Sequence, residues 1–252
     1  MLNIVIPMAG RGSRFADAGY RDPKPLIPVR GVPMIRLVIR NLAPRCAHRF
    51  IFICQRAHIA AYDLERRFRQ WAPGCEVVGI DGVTEGAACT VLAASHLIDN
   101  DMPLMIANSD QYVDVDIDDY LATQENGRYD GLIMTMTAHD PKWSFVSVDA
   151  RGLVTTVVEK RVISSEATVG IYNFRRGAAF VGAARRMIAA DQRVNNEFYV
   201  APTYNPLIAA GARVGIHNIG AEAAGMYGLG IPADLELFIS LPVADRAAAL
   251  AA

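Results

Sequence analysis

Four short apolar runs punctuate the first half of the chain: Leu2–Pro7 (LNIVIP), Arg49–Cys54 (RFIFIC), Glu76–Ile80 (EVVGI) and Pro103–Ala107 (PLMIA). None alternates strictly between apolar and polar positions. Continuous runs of this length suit strands of a parallel sheet buried on both faces. Between them, Pro33–Leu42 predicts a helix with proline near its first turn. Ile59–Trp71 predicts an amphipathic helix, and Gly86–Leu97 an Ala-rich one. This alternation through residue 107 predicts right-handed βαβ units. Met8–Asp22, rich in Gly, Arg and Asp, reads as a loop.

The pattern then changes. Gly131–Thr137, Phe145–Val148, Val154–Glu159 and Thr168–Phe174 follow one another as strands with little helix between them. Antiparallel strands should therefore join the sheet here and build a lid facing the substrate. No linker composition, repeat or low-complexity tract divides the chain. One domain over 1–252 is expected, with functional halves at about 1–110 and 111–240. The Ala-rich end, Ala247–Ala252, reads as a frayed helix or a disordered tail.

Composition narrows the class. With 52% hydrophobic and 20% charged residues, the 252-residue chain has the make-up of a globular protein. Its 25 basic and 26 acidic residues leave no basic excess, so no nucleic-acid partner is expected. No apolar stretch approaches the ~18 residues of a membrane span, and the N-terminus lacks a secretory signal pattern. Cys46, Cys54, Cys75 and Cys89 form no CxxC pair and read as reduced thiols, which makes the expected location cytoplasmic.

Two segments carry the chemistry. Met8-Ala9-Gly10-Arg11-Gly12-Ser13-Arg14 follows the first strand directly. Its glycines let backbone N–H groups approach phosphate oxygens, and its arginines add charge-assisted donors. Phe15 stands where a dinucleotide fingerprint needs its third glycine, and the Gly-Lys-Ser/Thr of a P-loop is absent. The second segment is Asp22-Pro23-Lys24-Pro25-Leu26-Ile27-Pro28-Val29. Its prolines predict a stiff, extended stretch with Lys24 pre-aimed as a point charge for phosphate.

Together these segments resemble the sugar-phosphate nucleotidyltransferase (nucleotide-sugar pyrophosphorylase) family, whose pattern is Gly-x-Gly-Ser/Thr-Arg followed by Lys-Pro-Leu-x-Pro-Val. The resemblance continues through Glu85-Gly86-Ala87-Ala88, Asn108-Ser109-Asp110-Gln111, Glu159-Lys160, Gly170-Ile171-Tyr172 and Gly230-Ile231-Pro232-Ala233-Asp234-Leu235. It implies an α/β fold: a single Rossmann-like, GT-A-type three-layer domain around a mixed, mainly parallel sheet. It also implies transfer of a nucleoside monophosphate from a nucleoside triphosphate to a phosphorylated small molecule, most commonly a sugar 1-phosphate. Pyrophosphate leaves, and the product is an activated precursor of the kind used in glycan or capsule synthesis.

By the same resemblance Arg14, Lys24 and Asp110 carry catalysis, and Asp110 holds Mg²⁺. Met8 through Ser13, with Asp81, Glu85, Gly86 and Asn108, bind the nucleotide. Glu159, Lys160, Gly170, Tyr172 and Glu197 face the acceptor. Glu197 sits in Asn195-Asn196-Glu197-Phe198-Tyr199, which also reads as a plain polar turn. The acceptor phosphate is itself the nucleophile, so the chemistry needs no general base, in keeping with five scattered histidines.

Two positions depart from the family. A second metal-binding aspartate expected two residues before Gly230 is Gly228 here, and Asp234 reads as a helix cap. Where some uridylyl- and thymidylyltransferases carry glutamine before the base-binding turn, this chain has Asp81, which leaves the base open. The acceptor and oligomeric state, including a homo-oligomer, stay open as well. Two other classes share part of the pattern: a GT-A-type glycosyltransferase and a non-catalytic nucleotide sensor. The first would use Asp-x-Asp where this chain has Asn108-Ser109-Asp110; the second is motivated by Gly228.

Overall fold

The structure, a computed structural model, describes residues 1–10 and 12–251. In chain order its elements begin with β1 (Leu2–Pro7), α1 (Ser13–Asp17), a 3₁₀ turn at Lys24–Leu26 and the two-residue strands β2 (Pro28–Val29) and β3 (Val32–Pro33). Then come α2 (Met34–Leu42), β4 (His48–Gln55), α3 (Arg56–Tyr62), α4 (Leu64–Trp71), β5 (Glu76–Ile80), α5 (Ala87–Leu92), α6 (Ser95–Ile98) and β6 (Leu104–Ala107). The second half holds β7 (Gln111–Val113), α7 (Ile117–Gly127), β8 (Gly131–Thr137), β9 (Ser144–Val148), β10 (Val154–Glu159), β11 (Glu166–Phe174) and α8 (Gly177–Ala189). It closes with α9 (Tyr204–Ala209), β12 (Val214–Glu222), β13 (Gly225–Gly228), α10 (Pro232–Ser240) and α11 (Pro242–Ala251).

One twisted sheet runs in the order β5-β4-β1-β6-β11-β8-β12-β13-β7, with β9 and β10 attached as an antiparallel pair beside β11. Along this path β11 and β7 oppose the other strands, so the sheet is mixed and mainly parallel. From β1 the chain moves outward to β4 and β5, then crosses back to β6 on β1's other side. That reversal opens a crevice at the carboxyl ends of β1 and β6, where ligands collect in open α/β sheets.

Alternation along the strands builds the layers. Ile4, Ile6, Phe50, Phe52, Met105 and Ala107 face one side, under α2, α4 and α7. Val5, Ile51, Ile53, Leu104 and Ile106 face the other, under α5, α8 and α9. Each fully buried Leu, Ile or Phe contributes roughly 1.5–3 kcal/mol. A third cluster joins Phe15, Met34, Leu37, Leu235, Phe238 and α11, and it ties the α1 end of the glycine loop to the C-terminal helices.

Several expectations need correction. The helix over Ile59–Trp71 is two helices, because Asp63 adopts φ 50° and breaks the ladder. Gly86–Leu97 likewise divides into α5 and α6. The loop after β1 contains α1, and the Pro-rich segment turns at Lys24–Leu26 where its prolines predict an extended stretch. The Ala-rich end is neither frayed nor disordered through Ala251: Ala247, Ala248 and Ala251 are buried in the third cluster. Asp234 is not the cap of α10. Ile231 holds that position without a side-chain bond, and Asp234 lies inside the first turn. No helix among the described residues is long and apolar enough to cross a membrane.

Candidate active site

A cleft of about 540 Å³ opens at the crevice between β1 and β6. That size suits a small-molecule ligand. Its walls come from the glycine loop (Met8, Gly10, Gly12), the Pro-rich segment (Pro23, Lys24, Pro25), the end of β6 (Asn108, Ser109, Asp110) and Glu197. Segments distant in sequence thus meet in one place. A larger cavity, about 660 Å³, lies elsewhere, between α2, the start of α7 and α11. It contains none of the expected site residues, and its rim is occupied by Arg45 paired with Asp116 and Asp118.

The glycine loop is shaped by its own geometry. Gly12 takes φ 63° at the N-cap of α1, and a Cβ there would lie 3.6 Å from Lys24 Cβ. Ala9 is buried, and its carbonyl accepts from Gln55 Nε2 at 2.9 Å. Gln55 belongs to no motif, and nothing in the sequence marks it for this contact. Ser13 and Arg14 lie on α1, Ser13 and Arg14 both facing away from the core. Arg11 lies outside the described residues.

Lys24 and Asp110 form the centre. The Lys24 ammonium donates to Asp110 Oδ2 at 2.7 Å, and both side chains are about one-quarter exposed. The backbone of Asp110 is held by Leu229 N–H, which donates to its carbonyl at 2.8 Å. Asn108 N–H donates to Gly170 O at 3.0 Å. Gly170 has φ 81°, and a Cβ there would stand 2.1 Å from Asn108 Nδ2. Gly170 therefore gives room for Asn108 and offers the cleft no side chain.

The expected base-binding turn is similarly constrained. Gly86 has φ 131°, and a Cβ would lie 2.5 Å from both N and O of Phe198. Phe198 N–H donates to Glu85 O and Phe198 O accepts from Ala88 N–H, so the turn is stitched to the 195–199 segment. The Glu85 carboxylate pairs with Arg193 at 3.1 Å, and Arg193 stacks on the Phe198 ring. Asp81 is exposed and pairs with Arg56 at 3.4 Å.

On the acceptor side, Glu159 is buried and its carboxylate accepts from Ser144 Oγ. Burial pushes its carboxyl above the usual range, against the opposing pull of Ser144 and Lys160. Lys160 follows the strand with φ 53°. It is exposed, donates to Tyr199 Oη at 2.8 Å and lies over that ring. Tyr172 does not reach the cleft surface: it is buried in the core under α8 and α9, its hydroxyl bonded to Thr168 Oγ1 at 3.0 Å. Glu197 does line the cleft.

Among the described residues, no group of three or more His, Cys, Asp or Glu is placed to hold a metal. A carboxylate at the end of a parallel strand still fits Mg²⁺, which takes one or two carboxylates and completes its shell with waters and substrate phosphates. The space around Asp110 Oδ2 is kept open by a glycine: a Cβ at Gly230 would stand 2.7 Å from it. Tyr20, Arg21, His58 and Tyr62 also line the cleft, and none of them belongs to a motif that would mark it from sequence.

A protein-family model described as nucleotidyl transferase matches residues 4–200. Among curated protein sequences, none matches the chain. Among solved structures, a nucleoside-diphosphate-sugar pyrophosphorylase from Vibrio cholerae aligns at TM-score 0.79 and 25% identity, over 94% of this chain and 100% of that one. A UDP-glucose pyrophosphorylase complexed with UDP-glucose aligns at TM-score 0.76 and 14% identity, over 95% and 97%. A UDP-glucose pyrophosphorylase from Acinetobacter baumannii aligns at TM-score 0.71 and 16% identity, over 95% and 92%. At these lower identities the likeness is one of fold.

Proposed function

The chain belongs to the nucleotidyl transferase family, and on that premise we propose that it moves a nucleoside monophosphate from a nucleoside triphosphate to a sugar 1-phosphate, with release of pyrophosphate. The observation that carries this reading is the meeting of the glycine loop, Lys24 and Asp110 in one cleft, with Lys24 Nζ 2.7 Å from Asp110 Oδ2. A basic side chain and a metal-competent carboxylate stand together where a triphosphate would lie. The similarity to a nucleoside-diphosphate-sugar pyrophosphorylase supports the sugar phosphate as acceptor.

In this reading the backbone N–H groups of the loop and Arg14 grip the triphosphate. Lys24 leaves Asp110 to neutralise charge on the phosphates as the bond at the α-phosphorus breaks. Asp110 would hold Mg²⁺, which would supply charge neutralisation at the phosphates. Lys160 draws in the acceptor phosphate, and Glu159 and Glu197 meet its hydroxyl groups. The acceptor oxygen attacks in line, and catalysis consists of bringing two anions together against their repulsion. The four cysteines are free thiols, which suits a reducing, cytoplasmic setting.

The test is direct. The protein is incubated with each nucleoside triphosphate, Mg²⁺ and a panel of phosphorylated metabolites, and pyrophosphate is measured. Release that depends on both a triphosphate and a sugar 1-phosphate is the expected result. Release with no acceptor dependence, or with none of the sugar phosphates, would remove the reading.

A further inference from the structure

The backbone of Lys160 is fixed just past the end of β10: φ is 53°, and its N–H donates to Trp143 O at 3.0 Å. Its side chain is exposed and forms no ion pair among the described residues. The neighbouring Glu159 carboxylate is engaged elsewhere, with Ser144 Oγ. A flexible four-carbon stem would leave such an ammonium spread over many positions. The Tyr199 side chain gathers it into one. Lys160 Nζ donates to Tyr199 Oη at 2.8 Å and lies 5.0 Å from the centre of the Tyr199 ring.

Tyr199 is itself held in place. It is half-buried, and both of its chain neighbours are buried. Phe198 N–H donates to Glu85 O at 2.8 Å, and Phe198 O accepts from Ala88 N–H at 3.0 Å. Val200 packs into the core under α8 and α9. Burial raises the Tyr199 hydroxyl above its ordinary range, against the pull of Lys160, so Tyr199 is a neutral phenol at neutral pH.

That neutrality separates the two lysines. The Lys24 ammonium is held by a carboxylate that cancels its charge. The Lys160 ammonium is held by a hydroxyl oxygen and an aromatic ring, which fix its place and leave its charge uncancelled. An ammonium has three N–H donors; one is given to Tyr199, and the others are left for an anion.

We propose that Tyr199 is a positioning residue, which fixes the Lys160 ammonium where it meets the acceptor phosphate. The inference rests on the reading of Lys160 as the acceptor cation. Tyr199 acts through Lys160: a side chain ordered before binding does not have to be ordered by it, which is worth about 3–10-fold in affinity. The Asn195–Tyr199 segment then serves both half-sites, through Glu197 in the cleft and Tyr199 on Lys160.

A double-mutant cycle tests this, with the triphosphate, Mg²⁺ and the sugar 1-phosphate that release pyrophosphate in the assay above. Lys160→Met keeps the stem and drops the charge; it should raise the acceptor KM by about 10-fold. Tyr199→Phe keeps the ring and drops only the oxygen. It should raise the acceptor KM by about 3–10-fold, with kcat and the triphosphate KM within about 2-fold of wild type. Tyr199→Leu, which also removes the ring, should raise the acceptor KM at least as much. In the Lys160→Met background Tyr199→Phe should cost nothing further. Circular dichroism checks that each variant is folded, and Tyr199→Phe fills the same space should Tyr199→Leu not fold. An equal loss from Tyr199→Phe in both backgrounds would show that Tyr199 acts without Lys160 and would overturn the inference. A wild-type acceptor KM in folded Tyr199→Phe, beside a defect in Lys160→Met, would also overturn it while Lys160 stands. If Lys160→Met keeps the wild-type acceptor KM, or no sugar 1-phosphate is used, the reading of the acceptor side fails and the inference falls with it.

Discussion

The Lys24 ammonium sits 2.7 Å from Asp110 Oδ2, where ammonium and carboxylate neutralise each other. On the proposed function, a triphosphate with its cation would separate them, each half of the pair turning toward a different charge. Charge aimed at the phosphates in this way is the largest single contribution in many active sites.

Lys24→Ala should therefore abolish most turnover and leave the fold intact. A preorganised charge is worth ~10²–10³ in rate. A pair about one-quarter exposed contributes only ~0.2–1 kcal/mol to stability. Steady-state kinetics and thermal unfolding of the same preparation would check this. A folded variant with near-wild-type kcat would take Lys24 out of the mechanism.

Gly86→Ala should damage both stability and nucleotide affinity. Position 86 has φ 131°, and the new Cβ would meet Phe198 backbone at 2.5 Å. Backbone strain and overpacking each cost ~1–3 kcal/mol. Gly82→Ala is the control: φ is 71°, but nothing lies within 4 Å, so only the left-handed penalty of ~1–2 kcal/mol applies. Equal losses of thermal midpoint in the two variants would contradict the close approach at Phe198.

Glu159→Gln should stabilise the protein in a pH-dependent way. Burial raises the Glu159 carboxyl above its ordinary value, which is ~4.3 in an unfolded chain. Below that value both states carry the proton and the substitution changes little. As pH rises through the window between the unfolded and the folded value, the unfolded chain releases its proton first, and stability falls. At neutral pH the whole penalty is present in wild type and absent in the variant. Gln can still accept from Ser144 Oγ through its carbonyl oxygen. The midpoint difference between variant and wild type should thus be more favourable at pH 7.5 than at pH 4. A difference independent of pH would refute carboxylate desolvation as its cause.

The sheet is legible in the sequence where its strands are buried on both faces: LNIVIP, RFIFIC, EVVGI and PLMIA all form strands in parallel register. The breaks are not legible. Asp63 adopts a left-handed conformation that periodicity cannot reveal. β7 and β13 have only three and four residues, too few to show a period. Much of the site is readable because glycines and prolines record backbone shape locally. Asp234 reads as a cap from sequence because its placement depends on the absence of a side chain six positions earlier, in a strand that pairs across to β7. Tyr172 takes its expected role from its neighbours Gly170 and Ile171, yet strand alternation turns it into the core.

Lys160 offers the cleanest separation of the two substrates. It sits past the end of β10 with φ 53°, exposed, its ammonium held by Tyr199 Oη at 2.8 Å. That bond, more than nearby charge, raises its pKa, so the group is a stable cation at neutral pH. Neither Lys160 nor Tyr199 lines the cleft that holds Lys24 and Asp110. Lys160→Ala should therefore lower acceptor affinity by ~10-fold, equivalent to ~1.4 kcal/mol, and leave triphosphate affinity within a few-fold. The left-handed backbone strains lysine and alanine alike, because each carries a Cβ. Lys160→Gly relieves that strain while also removing the charge. Both variants should lose acceptor affinity to the same extent even though Lys160→Gly unfolds at the higher temperature. Calorimetry with the triphosphate and Mg²⁺, then with the sugar phosphate found active, separates the two half-sites. Loss of triphosphate affinity with acceptor binding preserved would reverse the assignment of the halves, and wild-type acceptor affinity in the glycine variant would take the Lys160 charge out of acceptor binding.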